Sequence, residues 1–356
     1  MATYKEIKGV TVQTKDGDPD VFAGSWASGG SLNTARGELA GAGIQTAALA
    51  FGGDTPATPG TTREANTESY NGSTWTELND LNQGRTTLGG LGTSTAALAF
   101  GGDVATNVAN TETWDGSSWT EAADLNTGRR YLMNAGTTTA GLAAGSNIPG
   151  SWSNVESWNG SSWTETTELN TGRGYMWRGG STGTAVLVAG GYTTTYLAVV
   201  ESWNGSAWTE VNDLNTGGSS MSGGGTTTSA IAGARQLSPG TTAIAESWDG
   251  SSWSEVSDIN TARRLLGGDG SSNTNAIIFA GEDATSSFAN SDKTEIWDGS
   301  SWTEVADLAT ARGNGVGGAA ASSAAALCFG GHAPGGRTAS TEEFTVNLAN
   351  KTITSS

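Results

Sequence analysis

The side chains that could carry chemistry are few and badly spaced for it. His332 and Cys328 are the sole His and Cys in 356 residues. Zinc and copper sites draw three or four ligands from these types, so neither can form here. A Ser-His-Asp triad needs a single His, and His332 follows Gly330-Gly331, but no Gly-x-Ser-x-Gly on a strand-to-helix turn accompanies it. A Gly-Lys-Ser/Thr phosphate loop and an Asp-x-Asp-x-Asp-Gly calcium loop are both missing from the sequence. Cys328 replaces an Ala or Leu within an apolar run, which reads as a small buried thiol. The 35 Asp and Glu face only 17 Lys and Arg, and in so acidic a chain an abundance of carboxylates singles out no hydrolytic pair. The expectation is a protein that is not an enzyme, with no catalytic residue, no metal-ligating residue to single out and no cofactor, calcium on Asp and Asn loops staying open.

Recognition is the chemistry that remains. Fourteen Trp are present; twelve obey a common register, and Trp152 and Trp177 do not. Tyr131, Tyr175, Tyr192 and Tyr196 are also off that register, with Arg130 and Arg178 close by in sequence. Aromatic platforms beside polar groups suit sugar rings and protein hot spots alike. These eight residues are the candidate ligand site. Their nearness depends on the elements that carry them.

The phrase Leu-Asn-Thr-(Ala/Gly)-Arg recurs along the chain, with arginines at Arg36, Arg85, Arg129, Arg173, Arg263 and Arg312 and with Gly218 in the slot between Arg173 and Arg263. Spacings of 44 to 49 residues mark a solenoid or a propeller. Each unit then offers an apolar run ending in small residues, as in Thr46 to Gly53 and Thr95 to Gly102. The run lacks polar alternation, so both of its faces must be covered. Glu-x-Trp, Asn-Gly or Asp-Gly, and Ser-Ser-Trp-Thr-Glu follow, as in Glu156 to Glu165, and read as a hairpin with a tight turn. With a leading strand after each arginine, the unit is four antiparallel strands, a propeller blade. Outer-strand tryptophans at Trp75, Trp119, Trp163, Trp208, Trp253 and Trp302 precede the arginine slot by ten residues, and Trp26 precedes Arg36 by the same ten. The chain therefore begins with an outer strand that completes the last unit. The expectation is an all-β fold, a seven-bladed β-propeller closed by an N-terminal outer strand joining C-terminal strands. The rival for that strand is the tail Asn350 to Thr354.

The Gly-Gly pair ending the second strand, the aromatic after it and the Trp beyond resemble the kelch-repeat family from about Phe22 to Val346. The pair decays to Gly145-Ser146 and Gly233-Ala234, and Tyr70 and Phe344 stand for the third-strand aromatic. Near-identical units and the opening Met-Ala-Thr-Tyr-Lys-Glu-Ile-Lys-Gly are similar to kelch-like virion proteins of marine tailed bacteriophages. That resemblance implies a tail or fibre component with residues 1–21 as a docking arm and 22–356 as the propeller. The implied partners are other virion proteins through the arm and a host-surface glycan or protein at the propeller, with a homo-oligomer in the particle open. A decoration protein without a receptor, a glycan-degrading propeller and a cellular adaptor are the alternatives. The kelch oxidases that use copper need two His, so that branch does not apply. A net charge of −18 opposes nucleic acid and anionic membrane, and Met1 to Asp20 holds Lys5, Lys8 and Lys15 but no apolar run of leader or membrane length.

The six arginines and the glutamates Glu68, Glu112, Glu156, Glu201, Glu246, Glu295 and Glu342 recur together, as structural ion pairs would. Rim acids such as Glu77, Asp80, Glu210 and Asp213 would discourage edge pairing. Strand order puts the second-to-third loops and the outer-to-inner links on one face, where the off-register aromatics collect. The Asn-Gly hairpins share the other face.

Overall fold

The structure, a computed structural model, describes residues 23–57, 60–150, 152–238, 240–283, 289–313 and 317–347. The expected arm 1–21, Phe22 and the tail Asn350 to Thr354 lie outside these. Seven four-stranded antiparallel sheets form the blades of a β-propeller. Blade 1 runs from inner to outer edge as Ala40–Ile44, Ala47–Phe51, Thr67–Tyr70 and Trp75–Glu77. Blades 2 to 6 repeat that order over 89–121, 133–165, 177–211, 222–255 and 267–304. Blade 7 combines Gly317–Ser322, Ala325–Phe329 and Thr341–Asn347 with Ala23–Ser28. Trp26 pairs with Phe344 in register, in the slot where Trp119 pairs with Trp114 in blade 2. The ring thus closes through the N-terminal strand, as the ten-residue spacing implies.

Tryptophans wedge the blades together. Trp119 and Trp163 from the outer strands of blades 2 and 3 lie 4.9 and 4.8 Å from Phe51 and Phe100 at the ends of the preceding second strands. Size is shared between second and inner strands. Phe100 and Phe279 pair with Gly89 and Gly267, whereas Ala144 and Ala189 pair with Met133 and Trp177. Glycines crowd the inner strands for a further reason. A Cβ on Gly224 would lie 2.0 Å from the Gly270 nitrogen of the next blade.

Each linker between blades is clamped into the blade that follows. Arg36 donates to Glu68 at 2.7 Å and to the carbonyls of Gly52 and Asn66, while Glu68 accepts the amide and side-chain NH of Asn33. The pattern recurs in Arg85–Glu112, Arg129–Glu156, Arg173–Glu201, Arg263–Glu295 and Arg312–Glu342, all buried. The fifth clamp departs from the repeat: Arg235, at the end of the second strand, reaches Glu246 at 2.7 Å in place of the missing arginine at Gly218. A Cβ on Gly218 would fall against the Arg235 side chain, which fills the vacated room. Rim acids are exposed as expected, and Asp80, Asp124 and Asp213 each also accept the first amide of a third strand. Cys328 is fully buried, and burial pushes its thiol up to about 11. His332 is partly buried beside Arg337, and burial lowers its pKa.

Candidate functional site

The two residues after each arginine slot, Gly218 included, turn the chain toward the propeller axis. The second of them, Glu38, Thr87, Tyr131, Tyr175, Ser220 and Leu265, adopts φ between 50° and 55° in six successive blades. Non-glycine side chains in this left-handed region carry strain of about 1–2 kcal/mol each. The amide of one such residue donates to the carbonyl of its predecessor: Thr87 to Glu38 at 2.9 Å, Ser220 to Tyr175 at 3.2 Å and Leu265 to Ser220 at 3.3 Å. A belt of hydrogen bonds around the channel mouth thus holds the strained turns in place.

The mouth contains a cavity of about 640 Å³. Its walls include Tyr131, Tyr175, Tyr192 and Tyr196, with Glu38 and Gln236 among the polar groups. Tyr131 and Tyr175 lie with ring centroids 5.0 Å apart, as do Tyr192 and Tyr196. Tyr192 is 37% exposed and is placed by paired backbone hydrogen bonds with Gly174. Tyr131 donates to Glu38 at 3.3 Å, and Tyr175 accepts from Asn147 at 3.0 Å. Burial, reinforced by the charge of Asp54, raises the Glu38 carboxyl pKa. Burial likewise raises both mouth phenols, the Glu38 charge adding to the effect at Tyr131. Tyr131 and Tyr175 are therefore neutral hydrogen-bonding rings at physiological pH.

Arg130 does not line the cavity itself but backs Tyr131. It stands 5.7 Å over the Tyr131 ring and donates to Asp103 at 2.7 Å. Arg63 donates to the other oxygen of Asp103 at 2.6 Å. Burial works against charge on Asp103, but the Ala105 amide and the two arginines outweigh it and hold the carboxyl below its usual range.

Three expected members lie elsewhere. Trp177 is 4% exposed and packs edge-on to Trp253 at 5.8 Å, wedged between blades 4 and 5. It fills the space left because Ala189 stands where blades 1, 2, 6 and 7 have Phe. Trp152 is half-buried in the loop of blade 3, its carbonyl accepting the Arg173 amide at 2.9 Å, and does not line the cavity. Arg178 projects into the axial channel below the mouth. In the other direction, the sequence reading omitted Glu38, Thr87, Ser220 and Leu265, which share the register position of Tyr131 and Tyr175. It also omitted Asp269, a lone charge in the glycine-rich inner strand of blade 6.

The opposite face is chemically uniform. Asp115 accepts the amides of Ser117 and Ser118 at 2.8 and 2.9 Å, closing the turn, and Asn71, Asn159, Asn204, Asp249 and Asp298 do the same in their blades. These carboxylates and amides are committed to turns.

No protein-family model matches the chain, and no curated protein matches it in sequence. Among solved structures, that of YjhT superposes with a TM-score of 0.56 over 75% of this chain and 96% of its own. The sequences are 10% identical. The likeness is one of fold. It carries the propeller and leaves the site to its own geometry.

Proposed function

We propose that the protein is a non-enzymatic binding module of a tailed-phage particle, whose channel-mouth face contacts a host-surface glycan or protein. The observation that carries the binding reading is the cavity in which Tyr131, Tyr175, Tyr192 and Tyr196 meet. Equivalent backbone positions hold different side chains around this mouth, whereas the hairpin face repeats one turn. Such a division suits a rigid scaffold presenting a recognition surface. Flat phenol rings next to Gln236, Ser219 and Glu38 offer stacking and hydrogen bonds of the kind a sugar ring accepts. The particle setting rests on the resemblance of the repeats and of the N-terminal segment to kelch-like virion proteins, with residues 1–21 docking to another virion component.

A glycan array and host-cell binding with purified protein test this reading. Saturable binding that falls at least tenfold in Tyr192→Ala/Tyr196→Ala and persists in Trp152→Ala is the expected result. Absence of binding to every glycan and to host cells at high protein density would transfer the protein to a purely structural place in the particle. Release of reducing sugar from host polysaccharide would make it an enzyme.

A further inference from the structure

Below the mouth, the axial channel encloses about 760 Å³ between the inner strands. Glycines form nearly half of its wall, and of the described residues lining it only Arg178 and Asp269 carry charge. They come from blades 4 and 6. Arg178 spends one donor on the Asn134 carbonyl at 2.5 Å, and among the described residues no carboxylate lies within ion-pair distance of its guanidinium. A guanidinium has five N–H groups, so a two-pronged face stays open to the lumen. The side chain is reached from the lumen yet walled round by protein, and this desolvation disfavours its charge. Among the described residues Asp269 accepts only the Gly270 amide, at 2.7 Å, and burial raises its pKa in turn. Two opposite groups thus share a cavity without meeting.

The distribution of the remaining arginines points the same way. Of 12 arginines, being 17 cationic residues less five lysines, seven are clamps. The other five are Arg178 in the channel and Arg63, Arg130, Arg264 and Arg337 on the mouth face, the last four all paired to Asp or Glu. Arg178 is therefore the one arginine among the described residues with no carboxylate at ion-pair distance.

We infer that the axial channel is a ligand site separate from the tyrosine cavity, taking a small organic carboxylate at Arg178 with a hydrogen-bond-donating group of the same ligand at Asp269. A planar carboxylate matches the guanidinium fork with two parallel hydrogen bonds. A hydroxyl or ammonium group on the ligand supplies the partner that Asp269 lacks.

Isothermal titration with acetate, gluconate, glycine, inorganic phosphate and glucose tests the assignment. Gluconate or glycine is expected to bind saturably and more tightly than acetate, with glucose and phosphate weaker still. Arg178→Gln should weaken that binding at least tenfold and Arg178→Lys by less, both keeping the thermal unfolding transition of the parent because Arg178 makes one hydrogen bond. Asp269→Ala should erase the advantage over acetate. Tyr192→Ala/Tyr196→Ala should leave carboxylate binding unchanged, which separates this site from the mouth. No saturable binding of gluconate or glycine, equal binding by Arg178→Gln, or binding of phosphate alone would overturn it.

Discussion

A single atom can distinguish otherwise equivalent blades. The residue before the clamp glutamate in the third strand is Thr67, Thr111, Thr294 or Thr341 in blades 1, 2, 6 and 7, and its hydroxyl accepts the indole N–H of Trp119, Trp163, Trp26 or Trp75 from the next blade at 2.8 to 2.9 Å. Blades 3, 4 and 5 have Val155, Val200 and Ala245 there. The indole nitrogens of Trp208, Trp253 and Trp302 are buried with no partner as a result. An unpaired buried donor costs about 1–3 kcal/mol, and a hydrogen bond recovers a net ~0.5–1.5 kcal/mol. Val155→Thr should therefore stabilise the protein by about 1 kcal/mol in urea unfolding, with Val200→Thr similar. A buried Val→Thr change usually destabilises because the hydroxyl goes unpaired, so the sign alone decides the matter. The Trp register was legible in the sequence because spacing records it. The missing acceptors were not, since they belong to a different blade some fifty residues away.

Linkers between blades act as staples, and the fifth shows how far a repeat can be read. The register reveals that Gly218 lacks the arginine, yet only the fold reveals that Arg235 arrives from the second strand to neutralise Glu246. The substitution works because the two chain segments lie side by side: the Ser219 and Gln236 backbones exchange hydrogen bonds at 3.0 and 2.9 Å. Removing one partner of a buried ion pair costs about 3–5 kcal/mol. Arg235→Gly should lose roughly that much in denaturant unfolding, and Gly218→Arg added to it should recover at least half, because the new side chain enters the room Arg235 leaves. A double variant no more stable than the single one would mean that the slot has lost its geometry. The same logic explains the candidate site. Tyr131 and Tyr175 were placed together by their common offset from a clamp arginine, and Tyr192 and Tyr196 by their loop. Trp177 was misplaced because its direction depends on Ala189, its cross-strand neighbour, and compensation in size is invisible until strands are paired.

On the scale of the whole ring, the chain ends meet within one blade. Ala23 pairs with Asn347, and the ladder continues through Trp26 and Phe344 to Ser28 and Glu342. The joint is reinforced by Gln45, which donates to the Phe344 carbonyl at 2.7 Å, and by Arg337, which pairs with Asp54 at 2.5 Å across 283 residues of sequence. Six blades close their outer hairpin covalently, whereas the seventh holds its outer strand by hydrogen bonds and by Trp26, which lies 5.1 Å from Phe279 and 5.2 Å from Phe344. If pairing alone defines the blade, the position of the break is arbitrary. A circular permutant that joins Asn347 to Ala23 through an Asn-Gly turn and opens at the exposed turn of Asp115 to Ser118 should fold to the same ring. Its seam would then fall in blade 2, where Trp119 packs on Phe51 and donates to Thr67. Unfolding should remain one cooperative transition, with a midpoint close to the parent's in the same denaturant. A permutant that aggregates, or that unfolds in two steps with blade 2 leaving first, would show that the order of synthesis contributes to closing the ring and that strand pairing is not enough.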